Sequence, residues 1–109
     1  MNGNITIDLF QKLDLRIAKI VKTERIPGKT KIYKAQIDVG DQQVQTIVGG
    51  GDYYPPEYFE GKTVVMLLNL EPKVIAGVQS KGMLLAADIG GKPVWLTVGE
   101  QVPAGTKVR

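Results

Sequence analysis

An all-β chain closed into one small barrel is the fold this sequence predicts, on three observations. Short apolar stretches recur between breaks marked by Gly and Pro along the 109 residues, a spacing that suits strands and turns better than helices. Tyr33, Ala35, Ile37 and Val39 alternate with Lys34, Gln36 and Asp38, the period of a strand with one buried face. One short helical signal follows Pro55-Pro56 and falls between the third and fourth strands, where it could plug one end of a barrel.

Each element can be justified in order. Ile7, Phe10 and Leu13 stand at helical spacing, Thr6 can cap and Asp8 suits a first turn, so 7–13 is a short N-terminal helix. Residues 15–23 are the first strand. Leu15 and Ile17 share a face but Ile20 is out of phase, so a bulge near Ala18-Lys19 is expected to bend it. A loop over 24–31, broken by Pro27-Gly28, leads to strand 32–39. That strand pairs back with 43–48 across the Gly40-Asp41 turn. Gly49-Gly50-Gly51 reads as a close-packed turn at the barrel rim; with no Gly-Lys-Ser/Thr after it, it is no phosphate loop. The run 62–70 is continuously apolar and predicts a strand buried on both faces. Residues 71–82 read as a loop, 83–87 and 93–97 as strands, and 98–109 as a tail rich in Gly and Pro. Counted this way, residues 1–109 form a single domain. It is a five-stranded OB-fold barrel with a short helix between strands 3 and 4, a short N-terminal helix and an extended C-terminal tail.

Composition narrows the chemistry. The chain has no Cys and no His, which removes disulfides, thiolate and imidazole metal sites and any triad built on His. Its carboxylates are scattered, so no metal and no cofactor is expected. The opening Met1-Asn2-Gly3-Asn4 lacks the basic and apolar regions of a leader. No apolar run reaches the roughly 18 residues of a membrane span. A cytoplasmic protein is expected.

The net charge of +3 is unevenly spread. Residues 1–34 hold eight basic side chains (Lys12, Arg16, Lys19, Lys22, Arg25, Lys29, Lys31, Lys34) against Asp8, Asp14 and Glu24, a balance of +5 that leaves 35–109 at −2. A basic face on a near-neutral body suits a polyanion, although a solvated lysine-rich surface would look the same by charge alone. OB-folds bind on the face of strands 2–3 and through the loops joining strands 1–2 and 4–5. Here those loops carry Arg25, Lys29 and Lys31, and Lys73 and Lys81, with Lys34 beside them at the start of strand 2. Tyr33, Tyr58, Phe59 and Trp95 sit in apolar company and read as packing residues. Few free rings with several cations favour a folded RNA backbone over splayed bases.

The residues also resemble a known family, the tRNA-binding domain appended to methionyl-tRNA synthetases and found in freestanding tRNA-binding proteins. The resemblance covers nearly the whole chain. It runs through Ile5-Thr6-Ile7-Asp8-Leu9-Phe10, Asp14-Leu15-Arg16-Ile17-Ala18-Lys19-Ile20, Lys31-Ile32-Tyr33, Thr46-Ile47-Val48-Gly49-Gly50 and Gly61-Lys62. Its most specific part is Asn69-Leu70-x-Pro72 followed by Gly77-Val78-x-Ser80-x-Gly82-Met83-Leu84-Leu85-Ala86-Ala87. The resemblance implies an OB-fold, homodimerisation and tRNA binding without strong base specificity. It also implies tRNA contact at Ser80 and Met83, with Asn69, Lys81 and Gly82 in the same stretches. For Ser80, Gly82 and Met83 the plainer alternative is a tight turn entering a strand, with Met83 in the core. The chain departs from the family pattern at Ile26, often His, and at Lys29-Thr30, often Ala-Asp. It also departs at Val74, often basic; here the cation is Lys73, just before it.

Together these features predict an auxiliary tRNA-binding dimer, in cis or in trans to a methionyl-tRNA synthetase, with no catalysis of its own. The N-terminal segment and the C-terminal tail are the expected dimer interface. The alternative is a chaperone-like peptide-binding or assembly dimer, since related small OB proteins act that way, although they tend to lack the Ser-x-Gly-Met stretch.

Overall fold

The computed structural model describes residues 3–109; Met1 and Asn2, part of the stretch read above for a leader, lie outside the described residues. In chain order the elements are α1 (Ile7–Phe10), β1 (Leu15–Arg25), β2 (Ile32–Asp38), β3 (Gln43–Gly49), α2 (Pro56–Phe59) and β4 (Thr63–Leu67). Then come β5 (Lys73–Ile75), β6 (Val78–Ser80), β7 (Met83–Leu84), β8 (Ala86–Ile89) and β9 (Lys92–Trp95). One five-stranded antiparallel sheet has the order β3-β2-β1-β4-β7. β1 is long enough to serve two neighbours: Leu15 to Lys19 pair with β4, and Lys19 to Arg25 pair with β2. The free edge of β3 then meets the chain around β6, where Lys81 N donates to Gln45 O at 2.9 Å. The barrel is thereby nearly closed, as an OB-fold requires.

The inner faces of β1 to β4 supply the core, with Ile20, Tyr33, Ile37, Val48, Val64 and Met66 among its buried side chains. Helix α2 plugs one end. Pro56 opens it and Phe59 is fully buried, edge-on to Tyr33 at 5.8 Å and to Trp95 at 5.8 Å. At the other terminus Thr6 caps α1 as expected, accepting from Leu9 N at 3.1 Å, but the helix stops at Phe10 and leaves 11–13 in a turn.

Further expectations need correction. The bulge in β1 lies at Val21, where pairing with β2 shifts between Ile20 and Lys22; the ladder to β4 is unbroken past Ala18-Lys19. The phase change at Ala18 has another cause. Leu15 and Ile17 are buried on the outer pleat, beside their partners Leu67 and Val65, whereas Ala18 and Ile20 point into the barrel. Strand β4 is fully buried only on the inner side, with Val65 and Leu67 partly covered. The stretch 71–82 is no plain loop but a β5–β6 hairpin, turned by Ala76 at φ 52° and Gly77 at φ 77°. Two left-handed residues make the turn type that suits a two-residue hairpin, and Ala is a poor signal for it. Finally, the tail over 98–109 has work within its own chain. It runs antiparallel to β1, with Ile17 N donating to Thr106 O at 2.8 Å and Val108 N to Leu15 O at 2.8 Å.

An ionic cluster fastens that tail. Arg16 Nε and Nη2 donate to the Asp14 carboxylate at 3.0 and 3.1 Å, and Lys107 Nζ donates to the same group at 3.0 Å. Arg16 Nη1 also reaches Asp41 at 3.3 Å. The hydrogen bond from Arg16 holds Asp14 below the usual carboxylate range; partial burial opposes this and Lys107 adds to it. A carboxylate whose folded pKa is lowered contributes stability above its unfolded pKa and loses it as pH falls through the folded value. Asp14→Asn should therefore cost about 1 kcal/mol at neutral pH. In urea titrations the deficit should shrink on acidification and vanish below the folded pKa of Asp14. A deficit that does not change with pH would mean the carboxylate charge contributes nothing.

Candidate nucleic-acid interface

The outer face of β2 and β3 is polar because the inner face takes every second residue. Tyr33, Ala35 and Ile37 of β2 pair with Val48, Thr46 and Val44 inside. Lys34 and Gln36 pair with Ile47 and Gln45 outside. Gln36 Nε2 donates to Gln45 Oε1 at 3.2 Å, which leaves a flat amide surface next to Lys34.

Two segments border this face. The loop after β1 packs on Gly51, whose N–H donates to Lys31 O at 3.0 Å. A Cβ at Gly51 would run into Thr30 O and one at Gly50 would press on Pro93, so these two glycines make the close-packed turn expected from the sequence and seat this loop, whereas Gly49 ends β3 with open space beside it. Lys29 and Lys31 are exposed there. On the other border, the β5–β6 hairpin sits on the edge of β3. Gln45 Nε2 donates to Gln79 O at 3.0 Å, and Ile47 N donates to Ser80 Oγ at 3.0 Å. Lys73 and Ile75, alternate residues of β5, open onto one recess with Ser80, while Gln79 and Lys81 line a second with Gln36 and Gln45. Lys73 thus lines a recess against β3, whereas Val74 is largely exposed.

The expected site residues divide accordingly. Lys29, Lys31, Lys34, Lys73 and Lys81 border or lie on the β2–β3 face. Arg25 does not share the pleat of Lys34. It pairs with Tyr33 and holds its guanidinium 5.8 Å from that ring, at the barrel end. Asn69 is engaged elsewhere: its amide accepts from Asp14 N at 2.8 Å and donates to Lys12 O at 2.7 Å, clasping the start of β1 to the end of β4. Ser80 is only 7% exposed, with its hydroxyl 3.2 Å from Thr46 Oγ1, so it fixes the hairpin on β3. Gly82 lies in the turn before β7 at φ 71° and its carbonyl accepts from Thr46 Oγ1 at 3.2 Å. Met83 is 47% exposed, on the surface and not in the core. Sequence reading missed Gln36, Gln45, Gln79 and Ile47. The first was legible as the polar phase of β2; the others needed the hairpin's position. Lys22 was also passed over. It is Gln36's partner across β1–β2 on the outer face, and it pairs with Glu24 at 3.5 Å.

Among the described residues no cluster of carboxylates could hold a metal, and no helix is long and apolar enough to cross a membrane. The face therefore offers charge, amides and a recess. Such a surface is suited to phosphate and ribose, where contacts position a polyanion without reading its sequence.

The chain is similar to several known proteins. The family model described as "Putative tRNA binding domain" matches residues 15–107. The methionine–tRNA ligase of Archaeoglobus fulgidus is 47% identical over 104 residues, which cover 95% of this chain and 16% of that protein. The chain thus spans about one sixth of the curated relatives it matches. A solved structure described as a MetRS related protein from Pyrococcus horikoshii superposes with a TM-score of 0.92 at 34% identity, covering 99% of this chain and 100% of that one. The chaperone CsaA of Bacillus anthracis superposes with a TM-score of 0.87 at 28% identity, covering 98% and 100%. Matched over 15–107, with the barrel and basic face in place, the chain belongs to the family of tRNA-binding domains.

Proposed function

We propose that this domain binds folded tRNA by its backbone, tolerates base sequence, and serves a methionyl-tRNA synthetase as an auxiliary module in cis or in trans. The observation that carries this is the gathering of Lys29, Lys31, Lys34, Lys73 and Lys81 along one outer face, between the loop after β1 and the β5–β6 hairpin. No catalytic step is assigned to the domain; its contribution is to raise the local concentration of tRNA by linkage. Work beside a synthetase implies the cytoplasm. We also propose that it acts as a homodimer, which would present two basic faces. Ile5, Ile7 and Leu9 support this: they are large, apolar and exposed in the N-terminal segment.

Equilibrium binding of labelled folded tRNA across a salt series tests the reading. Each phosphate contact should add about 0.7–0.9 to the slope of log affinity against log salt, so five lysines predict a slope of about −4. Absence of tRNA binding even at low salt would refute it.

A second reading has its own support in the likeness to CsaA and in the exposed apolar side chains around Met83. A peptide-binding dimer would hold unfolded polypeptide with an affinity nearly independent of salt.

A further inference from the structure

The recess beneath the β5–β6 hairpin is unlike the face it interrupts. It has a volume of about 530 Å³ and is walled by Ile47 of β3, Leu70, Ile75 and Met83. Leu70, Ile75 and Met83 are each more than a third exposed, so the walls present apolar surface to water at the border of the cationic face. Solvent-facing apolar surface of this kind costs free energy unless a ligand covers it, and pockets of roughly 300–1,000 Å³ are the usual size for small ligands. Its rim is charged. Lys73 and Glu71 line it, and Lys34 lies beside it as the cross-strand partner of Ile47.

We propose that this recess receives one unstacked nucleobase of the bound RNA, an inference that rests on the tRNA-binding reading and deepens it. A nucleobase is the part of an RNA whose faces are apolar and whose edge is polar. Its faces meet the Met83 thioether and the Ile47 and Ile75 side chains; a flexible thioether packs well on an aromatic plane. Its flanking phosphates fall to Lys34 and Lys73. Glu71, when ionised, only accepts hydrogen bonds, so it suits a base with donors on its edge, such as the adjacent N1–H and N2–H of guanine. The domain then recognises a place where a folded RNA extrudes a base, and not a uniform helix. This modifies the expectation of pure backbone reading, because the scarcity of free aromatic rings hid an aliphatic binding surface.

Two RNA hairpins of equal phosphate count test it, one with a single bulged guanosine and one with an abasic residue at that position. The bulged guanosine should bind about tenfold tighter, near the upper end of what a thioether packed on an aromatic plane contributes. Met83→Ala or Ile75→Ala should erase most of that gap, whereas Lys29→Ala should weaken both hairpins alike. Equal binding of the two hairpins overturns the recess proposal while steep, salt-dependent tRNA binding leaves the general reading standing. If neither hairpin nor folded tRNA binds, both fall. If the hairpins bind equally and a Leu- and Phe-rich peptide binds in a Met83-dependent way, the recess belongs to polypeptide instead.

Discussion

Replacing Lys29, Lys31 and Lys34 together by alanine is expected to weaken tRNA binding on the order of a hundredfold at low salt, and to flatten the salt slope by about two to three. All three are free to act on a ligand. Lys29 and Lys31 are exposed in the loop seated on Gly51, and Lys34 lies on the outer pleat of β2. Among the described residues none of the three forms an ion pair; Glu24, opposite Lys34 across β1–β2, pairs with Lys22 instead. None supports the core, so the triple variant should unfold at nearly the same urea concentration as the parent. Lys19→Ala serves as the control. That lysine pairs with Asp38 near the far end of β2, away from the loop, and its loss should leave affinity within about twofold. A triple variant that binds as the parent does would mean that the cations on this face are solvated surface.

Gly82→Ala is expected to cost about 3 kcal/mol of folding stability, read as a shift of the urea midpoint. Two causes add. At φ 71° the residue is left-handed, where a side chain is strained. A Cβ there would also lie 2.7 Å from Leu67 O and 2.7 Å from Met66 Cε. Neither neighbour gives way easily. Leu67 is held in the ladder to Met83, and Met66 is fully buried. The change would also disturb the carbonyl that accepts from Thr46 and, through it, the hairpin that carries Lys73 and Lys81. Affinity for tRNA should fall even at temperatures where the variant remains folded. An unchanged midpoint would show that this close approach does not exist in solution.

Much of the barrel was legible in the sequence because period-two burial writes itself into alternating residues. β2 and β3 follow Tyr33, Ala35 and Ile37 as read, and the prolines before Phe59 marked the plug. What escaped depends on partners distant in sequence. The outward burial of Leu15 and Ile17 reflects residues 105–108 running beside β1, so a local reading placed the bulge at the change of face and not at Val21, where it lies. The hairpin over 73–80 turns on Ala76, a residue that gives no hint of a left-handed conformation. The cationic face was legible from loop positions and charge, but the partners that single residues have within the chain were not. A serine hydroxyl facing Thr46 and one facing RNA look alike in a sequence, and so do an asparagine that clasps two backbone segments and one that meets ribose. The recess was invisible for the same reason, because Ile47 and Ile75 meet only when the hairpin closes on β3.

The most direct test of the whole account is amide hydrogen exchange of the domain with and without folded tRNA. Protection is predicted over 26–36, 43–49 and 73–83, with little change in the β8–β9 hairpin over 86–95. Protection confined to that hairpin, or to the tail over 98–109, would place the RNA on another surface and contradict the account.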